Sequence, residues 1–220
     1  MDFKQIIKII YQKKWLIFWT TLLGAILVFD LVVFQKPQHK ATSKILVVQK
    51  QVAGQDIYTI SKSAQYIGQI LKEAVYSDSF LDKIFESPYG IKNTDFPSQL
   101  KERRKEWARS VKVEILRDLG VIEIDVFYPQ KDKAEKISQA ITAVLKESHE
   151  FYHGAGENVS IKILDGSLVS QRPAKPNLFL SLISGAIIGL LIGLAWSFKN
   201  FQLVKKSDEI SSLGENAPFA

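Results

Sequence analysis

The stretch QRPAKPNLFLSLISGAIIGLLIGLAWSF, from Gln171 to Phe198, decides how the rest of the chain is read. Its last 21 residues, Leu178 to Phe198, carry no charge. At about 1.5 Å rise per residue that length crosses the roughly 30 Å hydrocarbon layer of a membrane. Ser181, Gly185, Gly189 and Gly193 fall four apart and predict a flat strip on which another helix backbone can come close, either the second helix of another copy or the first helix of the same chain. Pro173 and Pro176 precede the helix and predict a stiff connector, since proline fixes its own φ and restrains the residue before it.

A second apolar run lies near the other end. Trp15 to Phe34 gives 20 residues whose single charge is Asp30. It is longer than the apolar core of a signal peptide, and no small-x-small cleavage site follows in FDLVVFQKPQHK, so an uncleaved first span is expected. Before it, MDFKQIIKIIYQKK sets Ile6, Ile7, Ile10 and Tyr11 among four lysines, the pattern of an amphipathic lead-in at a lipid surface. Those lysines put the N-terminus in the cytoplasm, and a second span returns the tail there. The expected organisation is therefore a lead-in over residues 1–14, a first membrane helix over 15–34, an extracytoplasmic domain over 35–177, a second membrane helix over 178–198 and a cytoplasmic tail over 199–220.

Charge excludes one class of partner. The net charge of +6 divides into +3 before the first span, −1 within it, +4 over residues 35–177 and zero in the tail. That spread gives no nucleic-acid footprint. The chain has no cysteine, so disulfides and thiolate metal sites are excluded.

Between the spans, helix and strand patterns alternate. Ala41 to Gln49 is β-branched and apolar, a strand. Ile60, Ala64, Ile67, Ile70, Leu71, Ala74 and Val75 recur at helical spacing, and Phe80, Leu81, Ile84 and Phe85 repeat the period in a second helix capped at Asp78 or Ser79. Pro97 to Ser110 is charged and lacks a broad apolar face. It reads as an exposed helix with acid and base pairs three or four apart, and as a candidate anionic contact through Arg103, Arg104 and Arg109. Val111–Ile115 and Ile122–Val126 alternate about Asp118, Leu119 and Gly120, a hairpin with one buried face. Asp132 to Tyr152 places Ala134, Ile137, Ile141, Val144, Leu145, Ser148 and Phe151 on one helical face. Gly154 and Gly156 stop that helix, and Val159, Ile161 and Ile163 form a last strand ending at Leu164, Asp165 and Gly166. The fold class is an α/β (α+β) extracytoplasmic domain flanked by two transmembrane helices.

One catalytic pattern needs weighing. His149, Glu150 and His153 spell HExxH, in which histidines four apart on a helix bind Zn²⁺ and the glutamate activates water. The extended version of the motif places a histidine where Val159 stands, and only Asp165 remains as a third ligand. With Ile137 at zero and 100° per residue, the core face runs from about 320° at Phe151 to about 80° at Leu145. On the same count His149 and His153 fall near 120° and 160°, which faces them to solvent. A membrane-anchored zinc peptidase stays as the enzyme alternative, but the expectation is no catalytic site, no metal and no cofactor. Phosphate loops, dinucleotide fingerprints and nucleophile elbows do not occur.

The whole arrangement resembles the Wzz-type polysaccharide chain-length determinants, or polysaccharide co-polymerases, which are related to the membrane modulators of bacterial tyrosine kinases. The resemblance runs from about Asp2 to Phe198. It is carried by VKVEILRDLGVIEIDVFYPQKDKAEKISQAI, with Pro129 and Ala134 in a loosened proline-alanine step, and by KILDGSLVSQRPAKPNLFLSL, with Pro173 and Pro176 at the juxtamembrane prolines. It implies a non-catalytic, homo-oligomeric scaffold in the bacterial plasma membrane that acts beside a polysaccharide polymerase, export machinery or growing glycan. No kinase domain follows the second span, so the match is to the two-protein arrangement, in which the tail engages a separate cytoplasmic tyrosine kinase. Phe219 is then the tail's candidate contact. A two-span membrane sensor or adaptor shares the layout and is the other alternative.

Overall fold

The computed structural model describes residues 10–50, 56–116, 120–154 and 156–215; for Glu157 and residues 200–215 it describes the backbone alone. Most of the amphipathic lead-in, the tail residue Phe219 and two of the hairpin-turn residues, Asp118 and Leu119, therefore lie outside the described residues. The chain forms two compact units, one built on the two apolar helices and the other spanning Pro37–Lys175.

The first unit pairs α1 (Lys14–Val33) with α6, which starts at Leu178 and continues to Glu215. Its apolar part, Leu178–Lys199, and α1 are each long and apolar enough to cross a membrane. The two helices lie antiparallel, since Gly185 approaches Gly24, Ala25 and Val28 whereas Gly193 approaches Ile17 and Thr20. Large apolar side chains such as Phe18, Leu23, Phe179 and Leu191 point outward and exposed.

The second unit is a helical layer on an antiparallel four-stranded sheet. Its strands are β1 (His39–Gln49), β2 (Val111–Leu116), β3 (Val121–Tyr128) and β4 (Val159–Val169), in the order β2-β3-β1-β4. All three pairings are antiparallel, with Ile45 opposite Ile122 on one side of β1 and opposite Ile163 on the other. Along β1, Ala41, Ser43, Ile45 and Val47 are buried and the residues between them are not, so one face of the sheet meets the helices.

The helices of this unit are α2 (Ile57–Val75), α3 (Asp78–Glu86), α4 (Leu100–Ser110) and α5 (Lys131–His153). Asp56 caps α2, accepting from the Thr59 amide at 2.8 Å, and that bond holds its carboxyl below the usual carboxylate range. Ser77, and neither Asp78 nor Ser79 as expected, caps α3 by accepting from the Phe80 amide at 3.2 Å. Its hydroxyl also donates to the Ala74 carbonyl at 2.7 Å, so one side chain ends α2 and starts α3. Gly154 closes α5 in the left-handed region, at φ 65°.

Three features depart from the sequence expectations. The charged helix α4 is anchored: Trp107 is 1% exposed, and its Nε1 donates to the Val75 carbonyl at 2.8 Å. Arg104 pairs with Asp78 of α3, and no acid–base pair within α4 occurs among the described residues. The last strand does not stop at Gly166 but runs on to Val169. It can do so because the pairing shifts between Lys44, opposite Asp165, and Thr42, opposite Leu168, leaving two residues of β4 against one of β1.

The third departure reverses a face assignment on α5. His149 is buried at 7% exposure and Phe151 is 72% exposed. The expected face counts Ser148 as its one polar member, whereas Ser138 and Thr142 are buried too. Their hydroxyls meet Ser43 of β1 at 3.2 and 3.1 Å, and Thr142 also donates to the Ser138 carbonyl. Counting them moves the buried edge to about 140°, which encloses His149, while Phe151, near 320°, lies in the helix's last turn. There Phe151 lies under the Lys83 ammonium, 5.5 Å from its ring centroid.

Candidate functional site

The strip on α6 lies against α1 of the same chain. A Cβ on Gly185 would come within 2.7 Å of the Gly24 carbonyl oxygen and 2.8 Å of the Val28 Cβ. One on Gly189 would strike the Thr20 carbonyl oxygen, and one on Gly193 the Thr20 hydroxyl. Ser181, at the head of the strip, is buried and donates back to the Leu178 carbonyl at 2.7 Å. Thr20 and Thr21 likewise bond carbonyls one turn earlier, so none of these hydroxyls needs water.

The seam has a second side. A Cβ on Gly24 would meet Gly189 Cα at 2.7 Å and the Gly185 carbonyl oxygen at 2.8 Å. Sequence reasoning passed over Gly24. Its signal is that it is the one glycine of the first apolar run.

Within Pro37–Lys175 the two chain ends are tied together. The Gln38 amide donates to the Lys175 carbonyl at 2.8 Å, and the Ala174 amide to the Gln38 carbonyl at 2.7 Å. The Ser170 amide donates to the Lys40 carbonyl, and Lys40 returns its own amide to the Ser170 hydroxyl at 3.0 Å. Lys175 places its ammonium 3.5 Å from the Phe127 ring centroid. Burial first, then the neighbouring Lys112 charge, hold it below the usual lysine range. Pro173 thus lies in a segment bonded to the start of β1, and Pro176 follows directly on Lys175.

The three arginines do not form one patch of like geometry. Arg104 is engaged with both carboxylate oxygens of Asp78, which holds that carboxyl below its ordinary range. Arg103 Nη1 donates to Asn93 at 3.2 Å. Arg109 is exposed in the last turn of α4.

His149 and His153 are brought together, with Nδ1 and Nε2 at 2.7 Å and rings stacked at 5.0 Å between centroids. Burial, then the neighbouring His149, lower the His153 pKa. Among the described residues no group of three or more His, Asp or Glu could hold a metal ion, so Asp165 does not complete a zinc set. Glu150 is exposed.

These features define a class: an α+β domain inserted between two apolar helices that pack on each other through a glycine seam. The family model for Wzz, chain length determinant protein, matches residues 1–87. The chain is similar to that family over this stretch, and the family's role is in polysaccharide chain-length determination. The matched region holds α1, β1, α2 and α3; the hairpin, α5 and the approach to the second apolar helix lie beyond it. No curated protein matches the chain significantly.

Proposed function

We propose that this chain is a two-pass protein of the bacterial plasma membrane, with both termini cytoplasmic and Pro37–Lys175 outside, that regulates the chain length or export of a surface polysaccharide. The observation that carries this reading is the Wzz match across the first apolar helix and the start of the α+β domain. The aromatic residues of the helix pair fit a membrane-spanning pair. Trp15, Trp19 and Trp196 fall at the same end of two antiparallel helices and are exposed, as an aromatic belt at one membrane interface requires. The domain boundaries drawn from the sequence, with spans at 15–34 and 178–198, belong to the same proposal.

In this reading the protein is a scaffold and not an enzyme. Copies assemble as a homo-oligomer beside a polymerase or export channel, and the assembly's contacts with polymerase or growing glycan set the length. Because α1 occupies the glycine strip, subunit contacts fall to other surfaces, and the strip's part is to hold the two spans of one chain together. Arg103 and Arg109 offer charge to lipid headgroups. The tail over residues 199–220, ending near Phe219, is the segment a separate tyrosine kinase engages.

Deleting the gene and resolving the surface polysaccharide by length on gels tests the function. A changed distribution, restored by the intact chain, is expected, and an unaltered distribution sinks the reading. The cysteine-free background tests the topology, since Ser170→Cys should react with an impermeant thiol reagent outside the cell and Lys199→Cys should not.

A further inference from the structure

Two clefts adjoin on the surface of Pro37–Lys175, and they share Tyr89, Ala143 and Glu147 as a common wall. One, of about 240 Å³, lies between α5 and β4 and is lined by Gln139, Lys146, Ile163 and Ser167. The other, of about 250 Å³, lies between α5 and the end of α3 and is lined by Glu86, Pro88 and Ser148. Each is smaller than the roughly 300 Å³ at which pockets for drug-sized ligands begin, so each suits one small ring.

The fold builds this wall deliberately. Pro88 and Gly90 bracket Tyr89 in a turn, with Gly90 at φ 70°, where a side chain is strained. Tyr89 packs against the core while still lining both clefts, so an aromatic side chain is held rigid at a solvent-facing partition. On the opposite side the shifted register of β4 introduces its extra residue at Gly166 and Ser167. Bulges of this kind re-aim side chains, and the buried Ser167 hydroxyl lining the cleft has no partner among the described residues.

The lining chemistry selects a ligand class. Among the described residues Lys146 and Glu147 make no ion pair or hydrogen bond, and Gln139 commits only its amide nitrogen, to Glu135 at 3.2 Å. The charges balance, two lysines against two glutamates across the pair of clefts, so an anion gains nothing there. A pyranose ring suits every part. Its face of C–H bonds lies on an aromatic side chain, and its hydroxyls donate to carboxylate and amide oxygens and accept from ammonium and serine groups. We infer that the two clefts bind consecutive sugar rings of a neutral polysaccharide, with Tyr89 as the shared aromatic platform and Glu147 as the shared hydroxyl acceptor. This site rests on the chain-length reading and gives it a point of contact with the polymer.

The test uses the full chain in detergent and saturation-transfer NMR. The probes are neutral oligosaccharides from partial hydrolysis of the host's own surface polysaccharide, with cellohexaose alongside and inorganic phosphate as the anionic control. Saturation should reach the sugar ring protons. Tyr89→Ala should weaken binding about tenfold and Tyr89→Phe should retain it, as stacking and not the hydroxyl carries the contact. Because Tyr89 also touches the core, Glu147→Ala, a surface change, is the second variant, and it should weaken binding about fivefold by removing the acceptor. Absence of transfer to either sugar, equal transfer in the Tyr89→Ala and Glu147→Ala variants, or phosphate outcompeting the sugars would overturn the site. Cellular length distributions separate this failure from that of the broader reading. If deletion changes the distribution and Glu147→Ala restores it fully, the function stands and the cleft falls; if deletion changes nothing, both fall.

Discussion

Replacing Trp107 with alanine asks whether the charged helix α4 is a surface element or a wall of the core. Ten of its eleven residues are exposed, partly exposed or small, and the eleventh is a fully buried indole. The Trp107 ring meets Phe96 edge to face, with centroids 5.8 Å apart, and Phe96 in turn meets Phe85 at 5.8 Å. Its Nε1 donates to the carbonyl of Val75, the last residue of α2, which a helix end would otherwise leave without a partner. Truncating a buried tryptophan costs about 3–5 kcal/mol. On a domain the size of Pro37–Lys175 that lowers the melting temperature by roughly 10–17 °C. Trp107→Phe keeps most of the ring and strands the Val75 carbonyl, at about 1–3 kcal/mol. Far-ultraviolet circular dichroism of the full chain in detergent measures both, because α1 and α6 stay helical in the micelle and the transition reports the domain. A surface helix would lose no more than about 0.5 kcal/mol. A loss below about 1 kcal/mol for Trp107→Ala would refute the anchor.

The histidine pair gives an acid dependence. Burial and His149 hold the folded pKa of His153 below the ordinary histidine value of 6.5, so the unfolded chain binds the proton first. The contribution is intact above pH 6.5 and is lost as pH falls through that value towards the lower folded pKa. The melting temperature should therefore drop between about pH 7.5 and about pH 5.5, and a His153→Gln variant should show a shallower drop; an equal slope counts against the pair. At the seam, Gly189→Leu drives a side chain into the Thr20 carbonyl and separates α1 from α6. Cysteines placed at Trp15 and Trp196, both exposed and at the same end of the two helices, should cross-link through a bifunctional thiol reagent in an otherwise cysteine-free chain and poorly once Gly189→Leu is added. Unchanged yield would mean the seam tolerates bulk. Converting Pro173 and Pro176 together to glycine should leave membrane insertion intact and shift the polysaccharide length distribution, because the connector's stiffness is lost while its hydrogen bonds to Gln38 remain. A wild-type distribution in that variant would remove any mechanical role for the prolines.

Much of the domain was legible because its strands alternate. Val111, Val113, Ile122, Ile124 and Val126 are all buried, and the alternation that marked them as a hairpin also fixed which face meets the core. The ladder order β2-β3-β1-β4 was not legible, since strand pairing depends on which residues meet across long separations and the pattern of one strand does not encode its neighbour. Tyr76 shows the same limit. Its hydroxyl accepts from the Val113 amide at 3.0 Å and donates to the Val111 carbonyl at 3.3 Å, satisfying part of the free edge of β2, and nothing at position 76 announces it. The candidate site was half legible: the strip on α6 stands out by its spacing, but the surface it meets does not.

The misplaced residues share a cause. Periodicity arguments count apolar side chains, and this protein buries small polar ones at its closest approaches. Ser43, Ser138 and Thr142 let β1 and α5 come together through a hydroxyl cluster, and leaving Ser138 and Thr142 out of the count draws the buried edge of α5 short of His149. The helix pair repeats the pattern with Ser181 and Thr20 beside the glycines, their hydroxyls turned back on their own backbones. In both units a small side chain permits the approach and a local hydrogen bond removes the cost of burying its oxygen. Bulk introduced at Ser43 should therefore act as it does at Gly189. Ser43→Leu forces β1 from α5 and strands the Ser138 hydroxyl, whereas Ser43→Ala strands it without added volume. The first should destabilise the domain by at least about 2 kcal/mol more than the second, and equal losses in thermal melts would show that volume is not what the hydroxyl cluster protects.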